Sequence, residues 1–246
     1  MDETIIELER IAAALWVPPV RERLGSWQLR AADGFTGRAN SVLPLGDPGL
    51  PLPDAVAVAE QWYRGRGLPP MFAVPFPLDG DKGPLDAYLA ARGWTIRSGS
   101  SLVLTASTSV TDPDARVRVD PEPDPAWTAL YHYRGTELPP IGRSLLLSAP
   151  WQGFASIRSG AAAIAVGRVA VAGEWASLTA IEVDRAWRRR GLGGAITSAL
   201  CHQAAARGAK HVLLQVEVDN TAALALYARL GFAPAHRYHY RVLAAE

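Results

Sequence analysis

The chain has 246 residues, of which 49% are hydrophobic, so it can bury one large core or two smaller ones. Its 25 Lys and Arg residues balance 24 Asp and Glu residues, which leaves no global field for a phosphate polymer or an anionic membrane. We therefore expect no nucleic-acid partner and no membrane partner. No run of about 18 apolar residues predicts a membrane span. The acidic N-terminal segment lacks the features of a signal peptide, so we expect a cytoplasmic protein.

The first half of the chain predicts an alternation of strands and helices. Alternating or apolar runs predict strands at 39–45, 71–76 and 101–105, and helical patterns predict helices at 54–64 and 85–91. The stretch LDAYLAARGW, which ends at Trp94, is similar to LALYARLGF, which ends at Phe232. Two explanations stay open: a degenerate internal duplication, or the common ending of a helix by glycine in α/β units.

A segment rich in Pro, Asp and Ser, residues 107–125, predicts a junction between two domains, because this composition favours extended or turning chain over helix. We expect domains at residues 1–110 and 111–246. Within the segment, residues 116–119 alternate charge and valine and predict the first strand of the second domain.

The second half carries a clearer pattern. Strands are predicted at 153–160, 161–172 and 175–183, followed by a helix from Leu192 to about Gly208 with an apolar residue at every fourth position. A buried strand at 211–218, a helix at 221–230 and a strand at 232–243 follow. This order predicts the fold class α/β, an α+β mixed sheet with helices packed on it.

The glycine-rich segment RRRGLGGA, residues 188–195, lies between a predicted strand and a predicted helix. Backbone N–H groups that converge at a helix start can bind a pyrophosphate, and the preceding arginines would add charge. The alternative is a glycine-assisted turn beside a solvated basic patch. A P-loop is excluded because no Gly-Lys-Ser or Gly-Lys-Thr ends the segment, and Ile196 replaces the third glycine of a dinucleotide fingerprint.

This segment matches the pattern Arg or Gln, two residues, Gly, one residue, Gly or Ala. Together with LTAIEVDRAW before it and NTAALALYARLGF, residues 220–232, it resembles the GNAT superfamily of N-acetyltransferases over residues 177–240. The layout, with GRANSVLPLGDPG and YHYR, is similar to two-part actinobacterial-type members. The resemblance implies a GNAT-like fold, in tandem with a degenerate GNAT-like N-terminal domain.

The resemblance also implies a site for acetyl-CoA. The backbone at Ile181 and Val183 would pair with the pantetheine arm, and Asn220 and Ala223 would contact that arm. The pyrophosphate would be held by the glycine-rich segment, which comprises Arg188, Arg189, Arg190, Gly191, Leu192, Gly193, Gly194 and Ala195. For Asn220, a role as a mere helix cap stays open.

Tyr227 matches the tyrosine that protonates the departing thiolate and also borders the cofactor. A phenol with a pKa of about 10 can donate a proton to a thiolate whose conjugate acid has a pKa of about 8.5. The alternative is a tyrosine that only packs on the sheet.

The general base is less sharply defined. Glu182 is the first candidate, because it lies in an otherwise apolar strand where burial would raise its pKa, although a solvated or paired carboxylate is the alternative. Gln215 stands where some relatives carry a glutamate base, and Glu217 is the second candidate.

The acceptor site is the least defined part of the prediction. Trp187, Tyr131 and Tyr133 could line it or belong to the core. Arg38 and Asn40, two apart on a predicted strand, could project into it or be solvated.

Neither a disulfide nor a metal site is expected. A single cysteine, Cys201, cannot form an internal disulfide and is expected to be a small buried side chain of a helix. The histidines do not cluster as metal ligands, so we expect no metal; they are His132, His202, His211, His236 and His239.

The leading hypothesis is transfer of an acetyl group from acetyl-CoA to a primary amine by direct attack. The acceptor could be a small molecule or a protein, and the sequence does not define the oligomeric state. A non-catalytic acyl-CoA sensor or regulatory module is the alternative, and a nucleotide-binding enzyme is disfavoured by the failed fingerprints.

Overall fold

The computed structural model describes residues 2–108, 114–131 and 137–243. The chain forms two compact units. The first contains Met1–Val103 and Ala235–Glu246, and the second contains Leu104–Pro234. None of the helices in the described ranges is long and apolar enough to cross a membrane.

The elements follow one another as a mixture of helices and strands. In chain order they are α1 (Glu3–Leu15), β1 (Val20–Leu24), β2 (Trp27–Ala31), α2 (Leu52–Arg64), β3 (Met71–Phe76), α3 (Gly83–Ala91), β4 (Thr95–Ser107), β5 (Arg118–Asp120), α4 (Pro125–Leu130), α5 (Pro140–Leu146), β6 (Trp151–Ser159), β7 (Ala162–Ala172), β8 (Trp175–Val183), α6 (Leu192–Ala206), β9 (His211–Glu217), α7 (Thr221–Arg229) and β10 (Ala233–Val242). A short 3-10 helix, Arg185–Trp187, precedes α6.

The first unit combines a β-hairpin with the chain's C-terminal strand. Strands β1 and β2 pair antiparallel, and β10 pairs antiparallel with β3, with Arg237 opposite Phe76. An aromatic cluster fills the core: the Phe72 ring meets those of Trp27 and Trp94 edge-on, with ring centroids 5.6 and 5.3 Å apart. The edge-on geometry places the positive ring edge against a negative ring face, which adds to the gain from burial.

The predicted helices and the strand at 71–76 are confirmed in this unit. The strand predicted at 39–45 is wrong, because this stretch forms a loop with only the isolated bridges Val42–Phe72 and Leu43–Gln28. Helix α1 and the β1–β2 hairpin were not predicted.

The second unit contains the strand order β9-β8-β7-β6-β5. Strands β8 and β9 are parallel, whereas β7 pairs antiparallel with β6 and with β8. The predicted α/β fold class with a mixed sheet is therefore confirmed. Helices α4 and α5 were not predicted, and the strand expected at 116–119 lies at Arg118–Asp120.

Helix α6 packs on this sheet through a glycine. A Cβ atom at Gly167 of β7 would lie 2.6 Å from Ile196 Cγ2 and 2.9 Å from Leu200 Cδ1. Real Cβ atoms do not approach so closely, so the missing side chain sets the distance between α6 and the sheet.

We therefore expect Gly167→Ala to lower the free energy of unfolding by about 1–3 kcal/mol, because it overpacks a filled core. Gly194→Ala is the matched control. Its Cβ would meet Leu226 at an ordinary 3.4 Å, and alanine favours a helix, so no loss is expected. Urea denaturation of both variants checks this, and equal stability of Gly167→Ala and the parent protein would contradict the packing argument.

Candidate active site

The candidate site begins where two parallel strands stop pairing. The β8–β9 ladder runs from Trp175 opposite His211 to Leu178 opposite Leu214. Strand β8 continues to Val183 beyond this last pair, and β9 continues as well. On its other edge β8 stays attached to β7 up to Val183. Thr179–Val183, the stretch that contains the predicted Ile181 and Val183, therefore lies beyond the last residue of β8 that pairs with β9.

A bulge lies on β8 in the same stretch. The register passes from Glu182 opposite Val166 to Thr179 opposite Arg168, so two residues of β8 face the single Gly167. Ala180 in the bulge has a left-handed backbone, with φ +54°. A bulge re-aims the backbone groups of its strand and often marks a functional site.

Side-chain contacts within the turn after β8 stabilise its shape. Asp184 caps the 3-10 helix by accepting a hydrogen bond from the Ala186 N–H at 2.8 Å. Arg188 Nε donates to the Val183 carbonyl at 3.2 Å. The guanidinium of Arg190 lies 4.7 Å from the ring centroid of Trp187, a cation–π distance. Two of the three predicted arginines are therefore engaged within the turn.

Arg189 differs from both neighbours. It is exposed, its backbone is left-handed with φ +64°, and its side chain contacts no charged or polar group among the described residues. Gly191, also left-handed with φ +75°, then starts α6. A long side chain rarely adopts such a φ, whereas glycine does so at no steric cost.

The first turn of α6 presents backbone donors. Ala195 N–H donates to the Gly191 carbonyl at 3.0 Å, whereas the N–H groups of Leu192, Gly193 and Gly194 donate to no described residue. Free N–H groups and the positive end of the helix dipole together favour an anion at this position.

Of the two glycines of this turn, Gly193 allows a close approach of α7, whereas a Cβ at Gly194 would make only an ordinary contact. A Cβ at Gly193 would lie 3.2 Å from Leu226 Cδ2, and one at Gly194 would lie 3.4 Å from Leu226 Cδ1. Gly193 thus serves packing in addition to leaving the helix start open. The packing brings α7, with its tyrosine, beside the start of α6.

Asn220 is the cap of α7. Its Oδ1 accepts from the Ala223 N–H at 3.1 Å, and its backbone carbonyl accepts from Leu224 N–H. Ala223 is half-buried, and its N–H is engaged by this cap. The structure therefore contains the helix cap that the sequence left open as the alternative for Asn220.

Tyr227 is 8% exposed and packs against Phe232, with ring centroids 5.7 Å apart. Burial raises the pKa of its hydroxyl to about 12. The hydroxyl makes no hydrogen bond to any residue in the described ranges. At neutral pH this phenol is a protonated donor.

The candidate bases differ in exposure. Glu182 is half-buried on β8 opposite Val166, Gln215 is half-buried on β9, and Glu217 is exposed at the end of β9. Of these three residues, Glu182 lies on the stretch of β8 beyond Leu178, the last residue of β8 that pairs with β9.

The aromatic candidates have separate surroundings. Tyr131 is buried against Trp127, with ring centroids 5.3 Å apart. The ring of Trp187 lies against the guanidinium of Arg190. Tyr133 and His132 lie outside the described residues. Cys201 is buried in α6, as predicted, and burial raises the pKa of its thiol to about 12. No three described His, Cys, Asp or Glu residues form a group that could hold a metal ion.

Arg168 was missed by the sequence analysis. It is fully buried on β7, where its Nε donates to the Leu146 carbonyl at 2.6 Å and its Nη1 to Thr179 Oγ1 at 3.4 Å. It therefore joins the end of α5 to the residue that precedes the bulge. The available signal was a lone charge in an apolar strand, since such a charge is buried only when it is bonded.

Comparison with known proteins places these features in a family. The family model described as "Probable histone acetyltransferase Rv0428c C-terminal" matches residues 3–241. The chain belongs to this family. The predicted GNAT-superfamily N-acetyltransferase is therefore confirmed.

Two curated relatives match almost the whole chain. The acetyltransferase is 29% identical to the uncharacterized N-acetyltransferase YobR of Bacillus subtilis, over 98% of this chain and 99% of the relative. It is 33% identical to the probable histone acetyltransferase Rv0428c of Mycobacterium tuberculosis, over 97% of this chain and 73% of the relative.

A solved structure supports the fold. The GCN5-related N-acetyltransferase from Kribbella flavida superimposes with a TM-score of 0.71 over 98% of this chain and 96% of that chain, at 18% identity. The GNAT-like fold expected for the acetyltransferase is thereby confirmed, whereas the degenerate GNAT-like N-terminal domain stays a prediction.

Proposed function

We propose that the protein transfers an acetyl group from acetyl-CoA to a primary amine by direct attack of the amine on the thioester. The observation that carries the proposal is the end of the β8–β9 ladder at Leu178 and Leu214, with the free N–H groups of α6 beginning nine residues after Val183 on the same chain segment. An extended thioester arm and a pyrophosphate need these two features in this order.

The cofactor would lie along β8. Its pantetheine amides would pair with the backbone at Ile181 and Val183, as a neighbouring strand would. The Val183 carbonyl already accepts a hydrogen bond from Arg188. Its second lone pair could accept another hydrogen bond, from a pantetheine amide. The pyrophosphate would accept from the N–H groups at the start of α6. Asn220 would contribute indirectly, because its side chain caps α7 and so fixes the start of the helix that carries Tyr227.

The chemistry needs one base and one acid. A primary amine must lose a proton to attack the thioester carbon, and Glu182, on the stretch of β8 beyond the last ladder pair, would accept it, with Glu217 as the second candidate. The new C–N bond forms as the C–S bond breaks. Tyr227 would protonate the departing thiolate, because its hydroxyl carries a proton throughout the physiological pH range.

The descriptions of the family and of the Mycobacterium tuberculosis relative favour a protein amine as the first acceptor to test. Lysine side chains and protein N-termini both present the required primary amine. Small amines are the second class.

The test is release of free thiol from acetyl-CoA in the presence of a lysine-rich histone-tail peptide or of single small amines. Release that depends on an acceptor supports the proposal. Saturable acetyl-CoA binding without release for any acceptor of the panel would instead support a non-catalytic acyl-CoA sensor. The peptide with every amine acetylated is the matched control and should release no thiol.

The three arginines of the turn are expected to contribute unequally to cofactor binding. Arg189→Gln should weaken acetyl-CoA binding about tenfold, because Arg189 is the one of these three arginines whose guanidinium has no partner among the described residues, and the variant removes its charge-assisted phosphate contact. Arg190→Gln is the control and should cost less than about threefold, since Arg190 already stacks on Trp187. Calorimetric titration checks both, and equal losses would contradict this division.

A further inference from the structure

A loop of the first unit, residues 32–40, is shaped by one buried side chain. The Asn40 amide oxygen accepts from the N–H groups of Ala32 and Gly34 at 2.8 and 2.9 Å. Its Nδ2 donates to the carbonyls of Phe35 and Thr36 at 2.7 and 2.9 Å. Asn40 is 3% exposed, so its amide is fully engaged in the loop. The prediction that Asn40 projects from a strand is therefore wrong.

The loop holds an uncommon backbone. Asp33, Gly34 and Thr36 have φ values of +47°, +78° and +61°. Thr36 Oγ1 also accepts from the indole N–H of Trp16 at 3.2 Å, which fixes that ring beside the loop. Left-handed residues other than glycine cost free energy and persist where the surrounding structure imposes them. The loop therefore holds its next residues in a defined position.

Arg38 follows within this loop, and it is half-buried. Its guanidinium lies 5.2 Å from the ring centroid of Trp16 and makes no hydrogen bond to a described residue. A guanidinium has five N–H donors in a planar fork that fits a carboxylate or a phosphate. The Arg38 nitrogens do not belong to the fully buried polar atoms without a partner, so solvent reaches the fork and a dissolved anion can approach it.

A second guanidinium, that of Arg30, lies near Arg38. Arg30, 4% exposed, donates to the carbonyl and the hydroxyl of Ser41, and burial lowers its pKa, as does the nearby charge of Arg38. The carboxylate acting on Arg30 is that of Glu9, which already contacts His236 Nε2 at 2.8 Å. The carboxylate that acts on Arg30 is therefore itself engaged by His236, and no ion pair holds the Arg38 guanidinium among the described residues.

We propose that Arg38, stacked on Trp16, binds the oxyanion of a small-molecule ligand, a carboxylate or a phosphate. The stacked ring orients the fork and excludes water from one side of it. The two neighbouring guanidinium charges of Arg38 and Arg30 supply the electrostatic preference for an anion. This site lies in the first unit and does not depend on the acetyl transfer proposed above.

The test follows the Nε–Hε resonances of ¹⁵N-labelled arginine while sodium acetate or inorganic phosphate is added at constant ionic strength. The Arg38 resonance, assigned by its loss in Arg38→Gln, should shift saturably with an apparent Kd at least about tenfold lower than that of Arg10. Arg10 is the internal control, because it is exposed on α1 and has no partner among the described residues. A response to acetate alone assigns a carboxylate, and a response to phosphate alone assigns a phosphate.

A second readout separates binding from a structural role. Each effective anion should raise the Tm of the parent protein and leave that of Arg38→Gln unchanged, with Arg38→Lys between them because it keeps the charge and loses the fork. If Arg38→Gln fails to fold, Arg38→Lys provides the assignment by losing the same resonance. Arg38 shifts that only follow those of Arg10 for both anions would overturn the proposal.

Discussion

Tyr227→Phe is expected to lower kcat for acetyl transfer by about 100-fold or more and to leave acetyl-CoA affinity unchanged. The variant removes only the hydroxyl, which makes no hydrogen bond to a described residue, while the ring keeps its contact with Phe232. The departing thiolate would then leave without a proton donor. Steady-state kinetics with the best acceptor of the panel, together with calorimetry, separates the two effects.

Tyr88→Phe is the control for the loss of a tyrosine hydroxyl, because Tyr88 lies on α3 of the first unit and bonds only to Arg92 within the described chain. Its kcat should equal that of the parent protein. A Tyr227→Phe enzyme with unchanged kcat and an unchanged pH profile would show that Tyr227 only packs on the sheet, the alternative that its burial also allows.

Asp86→Asn is expected to lower the free energy of unfolding by about 3–5 kcal/mol, because it leaves a buried cation uncompensated. Asp86 accepts from His239 Nε2 at 2.6 Å and from Arg241 Nε and Nη2 at 2.8 and 2.9 Å. The Arg241 side chain is 11% exposed. Urea denaturation measures the loss, and Asp79→Asn, at an exposed residue of the same unit, should cost little.

The pH dependence of this loss has a defined sign. Burial alone would raise the pKa of Asp86, but the hydrogen bonds from Arg241 and His239 outweigh it and hold the pKa below 3.8. The folded state therefore binds fewer protons than the unfolded state, and the stabilisation is present above about pH 3.8 and lost as the pH falls through the folded pKa. A penalty for Asp86→Asn that stays constant below that range would contradict the assignment.

Local patterns predicted most of the second unit. Leu192, Ile196, Leu200 and Ala204 recur every four residues, and all four are buried on the face of α6 that packs on the sheet. Strand β8 was predicted with its observed ends, because its apolar run is bounded by turn residues. In such elements the sequence period and the burial pattern coincide, so the local sequence determines them.

The first unit was harder to predict because distant residues determine its polar interior. His236 meets Glu9 and His239 meets Asp86, at sequence separations of 227 and 153 residues. No local pattern links such pairs. The loop around Asn40 was predicted as a strand for a related reason: alternating side chains suggested an extended chain, whereas the Asn40 amide bonds to the backbone in place of a ladder.

For the candidate site, the sequence located the turn and the tyrosine but not their internal contacts. The run of three arginines could not show that Arg188 bonds to Val183 and that Arg190 stacks on Trp187. The missing Cβ of Gly167, which sets the height of α6 above the sheet, also required the neighbouring helix to be known. Side-chain partners depend on three-dimensional packing, and spacing along the chain does not encode them.

The most direct test of the central claim is a calorimetric titration of the full chain with acetyl-CoA. The arrangement of β8, the turn and α6 predicts saturable binding of one molecule per chain, weakened by Arg189→Gln and retained in Tyr227→Phe. A correctly folded protein that binds no acetyl-CoA would contradict the account. The open ladder and the glycine-rich turn would then be structural features without a cofactor.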